Sequence, residues 1–367
     1  MRLLICAGGT GGGVYPALSI LQSIGNRARE VLWIGGEGGM EADLVATRGI
    51  PFQSVPAAGV HGVGLSKLPG NIIKLVKGIV ASQKILRQFK PDVLLFTGGF
   101  VAVPMALAGV KVNSLLYVPD IEPGLALRTL ARYSDKIALT ANESIRYFKS
   151  TKKLVVTGYP TREDFKVKTK EESRERLGLK NNLPVLLVIG GSKGAHLINE
   201  ALLPNLPTLL QDYQVVHISG IADWQECQDL KTKMLPELSQ NYHPYAYLHD
   251  EISDAFSSAD LAISRAGASI LGELPLVGLP AILVPYPFAW RYQKVNADYL
   301  VDQGAAIVVN NSELTAKLVP LVKQLFSEKS RLSSMSKAMA SLATPKAASK
   351  LAELVCSLGS HPDGGRK

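Results

Sequence analysis

Residues 3–20 read LLICAGGTGGGVYPALSI, a short apolar run followed by a turn in which five of six residues are glycine. The apolar run, Leu3–Ala7, has the length of a strand, and Gly8–Gly13 form the turn. The second half of the chain repeats this order with Pro184–Ile189 and the glycine-rich turn Gly190–Gly194. Strands that are apolar throughout are typical of parallel sheets covered by helices on both faces. The two matching starts therefore predict two Rossmann-like domains.

Further apolar runs extend both predicted domains. Helical patterns follow the glycine turns, from Pro16 to Ile24 and from Ala195 to Leu203. Further strands are predicted at Val31–Ile34, Val93–Phe96, Ser114–Val118, Gln214–Ile218, Ala246–Leu248, Leu261–Ser264 and Ala281–Pro285. Because strands alternate with helices, the predicted fold class is α/β with parallel sheets. We predict a first domain over residues 1–160, a second over 161–340 and a tail over 359–367.

Composition excludes several classes of protein. The chain has 367 residues, of which 47% are hydrophobic and 19% charged, so it can bury two cores and is not a long disordered chain. Its cysteines, Cys6, Cys227 and Cys356, are too few and too far apart for a disulfide framework or a zinc cluster. They are typical of reduced thiols in a cytosolic protein. No uninterrupted apolar run reaches the length of a transmembrane helix.

The excess positive charge lies in the first half of the chain. Residues 1–160 carry 18 Lys and Arg against 9 Asp and Glu, whereas residues 161–367 carry 22 of each. The segment Ser66–Lys90 has no acidic residue, carries apolar residues near helical spacing and includes six basic ones, which are Lys67, Lys74, Lys77, Lys84, Arg87 and Lys90. A basic amphipathic helix can lie on an anionic membrane surface, and the alternative is a surface helix with solvated lysines. We expect the membrane rather than nucleic acid, because no nucleic-acid-binding motif is present.

Glycine turns between a strand and a helix can bind anions, since backbone N–H groups and the helix N-terminus face the ligand. The first turn does not have the dinucleotide-binding spacing G-x-G-x-x-G, which from Gly9 would require glycine at Val14. It also lacks the Gly-Lys-Ser/Thr ending of a P-loop. Both observations disfavour a dehydrogenase and an NTPase.

Four positions in the second domain together favour a nucleotide-sugar ligand. Ser192 and the turn Gly267–Ser269 offer hydroxyl and backbone donors for phosphate, and Glu273 could accept both hydroxyls of a ribose. Gln293 could hold a sugar. All four follow predicted strands, and α/β sheets bind ligands at the carboxyl ends of their strands. The alternative role for Glu273 is a carboxylate that stabilises a helix N-terminus.

Seven segments of the chain, taken in order, resemble the MurG family of GT-B glycosyltransferases, which are peripheral membrane enzymes that add N-acetylglucosamine to lipid I. The segments are AGGTGGGVYPALSI, GGMEADLV, KPDVLLFTGGFVAVP, VTGYPTRED, VLLVIGGSKGAHLINEALLP, ISRAGASILGELPLVGLPAILVPYP and RYQKVNADYLVDQGAA. The resemblance implies a GT-B fold with two Rossmann-like domains whose parallel sheets face a central cleft. It further implies UDP-N-acetylglucosamine in the second domain, a polyprenyl-diphosphate-linked muramoyl acceptor in the first, and a location at the cytoplasmic face of the cell membrane. A last helix over 341–358 would return to the first domain.

The resemblance also implies roles for particular residues. Arg162 and Ser192 would contact the diphosphate, His249 would give a backbone contact to uracil, Glu273 would bind the ribose, and Gln293 the N-acetylglucosamine hydroxyls. The full set of implied substrate-binding residues is Thr10, Gly11, Gly12, Arg162, Ser192, His249, Ala268, Ser269, Glu273 and Gln293. Of these, Thr10, Gly11 and Gly12 would line the cleft near the diphosphate and the acceptor, and Ala268 and Ser269 would face the nucleotide.

The chain departs from the family pattern mainly at polar positions on the acceptor side. Gly13 stands where the glycine loop of the family ends in histidine, and Tyr117–Asp120 align with its HEQN motif. On the donor side, Ile270 replaces a threonine, Tyr292 replaces Gln or His, and Pro287–Trp290 replace polar residues. Such departures also suit a related transferase with another lipid acceptor, or a homologue that binds UDP-sugar without catalysis.

Inverting transfer of the sugar requires a base for the acceptor hydroxyl and positive electrostatics for the leaving diphosphate. Because Gly13 has no side chain to act as a base, the candidate catalytic residues are Asp120 and Glu122, with His61 as a third. No Asp-x-Asp sequence occurs, so we expect metal-independent chemistry with no cofactor and no metal site. A UDP-N-acetylglucosamine epimerase shares the domain plan and is the rival enzyme, although it would not need the basic helix.

Overall fold

The structure is a computed structural model that describes residues 1–8, 11–39, 41–58, 68–162, 165–191, 194–287 and 292–360. The chain forms two compact units. The first comprises Met1–Arg162 together with Thr344–Lys367, and the second comprises Glu163–Ala343.

The first unit is built on a seven-stranded sheet in which all pairings are parallel. Its strands are β1 (Arg2–Ala7), β2 (Glu30–Gly36), β3 (Phe52–Val55), β4 (Val93–Gly98), β5 (Asn113–Val118), β6 (Lys136–Leu139) and β7 (Leu154–Val156), in the order β3-β2-β1-β4-β5-β6-β7. Its first helices are α1 (Gly11–Ile24), α2 (Glu41–Ala46), α3 (Leu68–Phe89), α4 (Ala102–Ala108) and α5 (Leu125–Tyr133).

The second unit has a six-stranded parallel sheet. Its strands are β8 (Val185–Ile189), β9 (Gln214–Ile218), β10 (Tyr242–Tyr245), β11 (Leu261–Ser264), β12 (Ala281–Leu283) and β13 (Ala306–Val308), in the order β10-β9-β8-β11-β12-β13. Its helices are α6 (Lys170–Arg176), α7 (His196–Leu202), α8 (Leu206–Leu209), α9 (Trp224–Lys233), α10 (Pro236–Ser239), α11 (Ile252–Ser258), α12 (Ile270–Val277), α13 (Tyr292–Asp302), α14 (Asn311–Ser327) and α15 (Lys329–Ser341).

The last helix, α16 (Ala347–Gly359), belongs to the first unit, where it packs against α1, β4 and β5. The Asn113 Nδ2 group donates a hydrogen bond to the Leu358 carbonyl at 2.9 Å. The sequence-based start of this helix near residue 341 is wrong. The chain instead ends α15 at Ser341 and resumes at Ala347, because Pro345 between them has no N–H to continue a helical ladder.

The predicted α/β class is confirmed, and the physical reason is visible in the strands. Leu3, Leu4, Ile5 and Cys6 of β1 are all fully buried although successive side chains point to opposite faces of the sheet. Helices therefore cover both faces, as the uniformly apolar strands predicted.

Two predicted elements are in the wrong place. The strand expected at Ala246–Leu248 is β10, four residues earlier, and it pairs only with β9 at the edge of the sheet. Pro244 lies inside this strand, and an edge strand tolerates proline because one of its sides makes no ladder hydrogen bonds. The helix expected from Pro16 begins at Gly11, so Pro16 lies inside α1.

Candidate functional site

The first glycine after β1, Gly8, packs against a buried carboxylate that the sequence analysis did not identify. Glu41 is fully buried, and its Oε1 accepts a hydrogen bond from the Gly36 N–H at 2.8 Å. A Cβ atom on Gly8 would overlap the Glu41 carboxylate. Gly8, the residue after β1, therefore packs directly on the Glu41 side chain. Gly11 and Gly12, two predicted ligand residues, open α1 just beyond it, while Thr10 lies outside the described residues.

Gly13 is packed against the carboxyl end of β4. Its carbonyl accepts a hydrogen bond of 2.7 Å from the Thr97 hydroxyl. A Cβ atom on Gly13 would lie 3.1 Å from the Thr97 carbonyl oxygen, which is closer than ordinary van der Waals contact. At the position where the sequence analysis expected the family histidine, Gly13 therefore allows α1 to approach β4 closely. A larger residue at this position would require the Thr97–Gly98 backbone to shift.

Arg162 lies beside α1. Its guanidinium carbon is 5.5 Å from the centroid of the Tyr15 ring, within the range of a cation–π contact. Tyr15 is on the first turns of α1, just after the glycines. Arg162 follows β7 in the chain, and the structure thus brings it next to α1, the helix that follows the first glycine turn.

The two candidate bases, Asp120 and Glu122, occupy the same turn after β5 in different environments. Glu122 is 2% exposed, and its Oε1 accepts a hydrogen bond from Arg128 Nη2 at 2.7 Å. Arg128 Nε also donates to the Pro123 carbonyl at 3.1 Å. Asp120 is partly exposed. Asp120 is therefore the more accessible of the two candidate bases, whereas the Glu122 carboxylate is held by Arg128.

The turn that carries Asp120 is also held from β6, by contacts the sequence analysis missed. The Thr140 hydroxyl donates to the Pro119 carbonyl at 2.8 Å and lies 2.8 Å from the Tyr117 hydroxyl. Burial raises the pKa of Tyr117 well above its ordinary value, so this hydroxyl stays protonated, and either hydroxyl can be the donor in the Tyr117–Thr140 bond. The turn is thereby fixed by hydrogen bonds on one side and by Arg128 on the other.

The glycine turn of the second unit, after β8, is pressed against the end of β9. Gly194 has a φ of +76°, and a Cβ atom on it would overlap the Ser219 carbonyl oxygen. Only glycine fits both requirements, because other residues disfavour positive φ and add the Cβ atom. Ser192, the predicted phosphate contact, belongs to this turn but lies outside the described residues. His61 of the first unit also lies outside the described residues.

The turn after β11 is anchored by side-chain hydrogen bonds that join it to other elements of the second unit. The buried Asn296 donates to the Ala266 carbonyl at 3.1 Å. Arg265, 8% exposed, donates to the Val284 carbonyl at 3.0 Å and to Asn311 Oδ1 at 2.8 Å. Ala268 is buried and Ser269 is partly exposed at the start of α12. Glu273 follows in the first turn of that helix and is also partly exposed.

Gln293 and His249 flank this region of the second unit in sequence. Gln293 Oε1 accepts a hydrogen bond from the Tyr286 N–H at 2.9 Å, which fixes the amide so that its NH₂ group is the part it can offer to a ligand. His249 is exposed after β10, and its ring makes an edge-on contact with Tyr247 at a centroid distance of 4.8 Å.

The sheet register brings the turns of the second unit together. Ser264 of β11 is opposite Ile189 of β8 on one side and Leu283 of β12 on the other. Three segments therefore leave the carboxyl ends of neighbouring strands side by side. They are the second glycine turn after β8, the segment Gly267–Ser269 after β11 and the residues after β12 that lead to Gln293. Within the described ranges, no group of three or more His, Cys, Asp or Glu residues is arranged to hold a metal ion.

The sequence matches two family models in tandem. They are the glycosyltransferase family 28 N-terminal domain over residues 3–139 and the glycosyltransferase family 28 C-terminal domain over residues 185–351. A relative from Halothermothrix orenii is 38% identical over 365 residues, which cover 97% of this chain and 98% of the relative. That relative is named UDP-N-acetylglucosamine--N-acetylmuramyl-(pentapeptide) pyrophosphoryl-undecaprenol N-acetylglucosamine transferase.

Solved structures are similar over nearly the whole chain. MurG of Acinetobacter baumannii has a TM-score of 0.77 and 26% identity, covering 96% of this chain and 99% of that chain. The UDP-GlcNAc 2-epimerase of Neisseria meningitidis, solved with UDP-GlcNAc, has a TM-score of 0.67 at 16% identity, covering 97% of this chain and 100% of that chain. The second likeness shows a common fold alone.

Proposed function

Because this chain belongs to glycosyltransferase family 28, we propose that it transfers N-acetylglucosamine from UDP-N-acetylglucosamine to N-acetylmuramyl-pentapeptide pyrophosphoryl-undecaprenol, the reaction for which its relatives are named. This is the step that converts lipid I to lipid II in peptidoglycan synthesis.

One observation in the structure supports the donor assignment above the others. Three neighbouring parallel strands, β8, β11 and β12, end side by side in the second unit, and the segments that follow them carry the residues proposed to bind the UDP-sugar. The turn after β8 and Gly267–Ser269 offer backbone N–H groups to phosphate oxygens. Glu273 offers a carboxylate to the ribose hydroxyls, and Gln293 an amide to the sugar.

The proposed reaction is a direct displacement at the anomeric carbon. The acceptor hydroxyl attacks C1 of the sugar, Asp120 takes the proton of that hydroxyl, and the C1–oxygen bond to UDP breaks. Backbone N–H groups of the glycine turns and the Arg162 guanidinium stabilise the negative charge of the departing diphosphate. We propose that no metal ion takes part, since these groups supply the positive electrostatics.

The proposed membrane contact is the outer face of α3, called here the α3 apolar surface and defined as Ile72, Ile73, Val76 and Val80. These side chains are 47%, 56%, 54% and 61% exposed, in that order. On a helix they fall within an arc of about 100°, and the exposed Lys77 and Lys84 lie beside it. Other apolar residues of this segment lie elsewhere on the helix: Leu86 and Phe89 pack against the hydrophobic core of the first unit, and Ile79 is partly buried.

An exposed apolar stripe with a lysine flank is suited to the interface of an anionic bilayer. We propose a peripheral location at the cytoplasmic face of the cell membrane, with the lipid-linked acceptor taken from that surface. Among the described helices, none has both the length and the hydropathy to cross a membrane.

The test of the proposed function is a transfer assay. The purified protein is incubated with UDP-N-acetylglucosamine labelled in the sugar, a lipid I analogue and liposomes, with and without EDTA. We expect label in the lipid phase at the same rate in both conditions. Free isomerised sugar nucleotide would instead indicate an epimerase, and UDP binding without turnover on any lipid acceptor would indicate a non-catalytic binding protein. Transfer that stops with EDTA would contradict the metal-independent mechanism.

Replacement of Glu273 by alanine should raise the KM for the donor by about 10- to 100-fold, because charge-assisted hydrogen bonds contribute about 1.5–3 kcal/mol. The acceptor KM should change little, since the ribose is part of the donor. The matched control is Glu313→Ala, which also removes a carboxylate from the first turn of a helix in the second unit. An unchanged donor KM in Glu273→Ala would reject the ribose role.

Replacement of Lys74, Lys77 and Lys84 by glutamate should weaken binding to anionic liposomes by at least about 100-fold at low salt, since each lysine near the surface contributes about 1 kcal/mol. Co-sedimentation with phosphatidylserine vesicles measures this. Lys233, Lys329 and Lys337, three exposed lysines of the second unit, provide a control with the same change of net charge. Equal losses in both triple variants would remove the special role of α3.

A further inference from the structure

A series of hydrogen-bonded, buried polar side chains lies next to Gly194, at the end of the second glycine turn. These side chains have no part in the mechanism above. The central members of the series are Asn199 on α7, His217 on β9 and Tyr242 on β10, which are 1%, 0% and 0% exposed. Polar groups at this depth are costly unless each is hydrogen-bonded. All three side chains are hydrogen-bonded, and the donor and acceptor of each bond can be assigned.

The hydrogen-bond directions follow from Asn199. Its Nδ2 group donates to the Ser219 carbonyl at 2.9 Å and to Asp223 Oδ2 at 2.6 Å, so its Oδ1 must act as an acceptor. His217 Nε2 lies 2.9 Å from that Oδ1 and therefore carries the ring proton. His217 Nδ1 is then unprotonated and accepts from the Tyr242 hydroxyl at 2.9 Å. Burial lowers the pKa of His217 to about 4, so the ring is neutral near pH 7.

This series of hydrogen bonds ends on the backbone that packs against Gly194. The Ser219 carbonyl, which accepts from Asn199, is the atom that a Cβ on Gly194 would overlap. Asp223, which also accepts from Asn199, lies 3.0 Å through its Oδ1 from Nδ1 of His196, the first residue of α7. Asn199 thus holds the end of β9 and the first turn of α7 at fixed positions on either side of Gly194.

We propose that His217 is a positioning residue for the donor: by donating to Asn199 it fixes Ser219 and α7, and so sets the position of Gly194, the last residue of the second glycine turn, for the donor diphosphate. This inference rests on the proposed function, because it assumes that the turn receives a UDP-sugar. It assigns a binding role to a side chain that does not touch the ligand. An apolar residue would fill the same space in the core, but it would leave the buried Asn199 Oδ1 without its hydrogen-bond donor and so weaken the hold of Asn199 on Ser219 and Asp223.

Two amide substitutions separate positioning from simple packing. In His217→Gln the side-chain nitrogen can reach the place of Nε2 and donate to Asn199, whereas in His217→Asn the shorter amide reaches only the Tyr242 side. Calorimetric titration measures the affinities for UDP and for uridine. Because the two ligands differ only by the diphosphate, the difference between their affinities reports on binding of the diphosphate. We expect His217→Asn to weaken UDP binding about tenfold, with uridine binding within about twofold of wild type. His217→Gln should keep the UDP affinity within about threefold of wild type.

Equal weakening of UDP and uridine in His217→Asn, or no weakening of either, would overturn the inference. So would His217→Gln losing as much UDP affinity as His217→Asn. If wild type itself binds neither ligand, the proposed function fails first, which distinguishes the two results.

A measurement on the unaltered protein covers the case in which the variants do not fold. ¹⁵N NMR of the histidine rings should show His217 as the neutral Nε2–H form, with a resonance that shifts on addition of UDP and not of uridine. The same response to both ligands, no response to UDP, or an Nδ1–H form would contradict the positioning role.

Discussion

Replacement of Asp120 by asparagine should lower kcat for transfer by roughly 10²- to 10⁴-fold, the range typical of a lost general base. The donor KM should stay close to that of wild type, because Asp120 acts on the acceptor hydroxyl. Steady-state kinetics with UDP-N-acetylglucosamine and a lipid I analogue measure both quantities. The reason for choosing Asp120 is environmental: Glu122 in the same turn is 2% exposed and paired with Arg128, whereas Asp120 is partly exposed.

The matched control for this variant is Asp43→Asn, which neutralises an exposed acid in α2 of the same unit. Its kcat should be that of wild type. A kcat within about threefold of wild type in Asp120→Asn would exclude Asp120 as the base, because a loss that small is far below the contribution of general-base catalysis. In that case Glu122 and His61 are the remaining candidates.

Replacement of Asp254 by asparagine should destabilise the second unit by about 3 kcal/mol or more, as expected when one partner of a buried ion pair is lost. The Asp254 side chain is fully buried, and Lys168 Nζ lies 2.7 Å from its Oδ1. Arg176 Nε lies 3.1 Å from its Oδ2. These contacts join α11 to α6 and to the segment before it, so the loss should appear as a lower unfolding temperature in scanning calorimetry.

An exposed ion pair of the same unit supplies the comparison. Asp298 pairs with Lys294 at 2.6 Å on the surface of α13, where its side chain is 44% exposed. Because exposed pairs four residues apart on a helix contribute only about 0.3–0.5 kcal/mol, Asp298→Asn should have almost no effect. Similar losses in the two aspartate variants would mean that burial does not set the strength of the Asp254 cluster.

The strands at the centre of each sheet were predictable from sequence because burial on both faces makes them uniformly apolar. Gln214–Ile218 and Leu261–Ser264 were predicted at their observed bounds. The strands that were missed, β3, β6, β7 and β13, have four residues or fewer, and such short runs give no clear periodicity. The misplaced β10 shows a second limit, because only its position at the sheet edge makes Pro244 acceptable.

The candidate site was predictable where a motif carries it and not where distant side chains support it. Glycine turns and the acids after strands are visible as local patterns, and these indicated Asp120, Glu122 and Glu273. The supporting hydrogen bonds join residues far apart in the chain, such as Thr140 to Pro119 and His217 to Asn199. No spacing rule connects such pairs, since they meet only after the sheet order is established.

The most direct test of the central claim is calorimetric titration of the purified wild-type protein with UDP in the absence of divalent metal. The claim is that the second unit is a uridine diphosphate-sugar site formed by two strand–helix turns and Glu273. We predict saturable binding of one UDP per chain, and weaker binding in Glu273→Ala. Absence of any measurable affinity for UDP in the folded wild-type protein would contradict the claim.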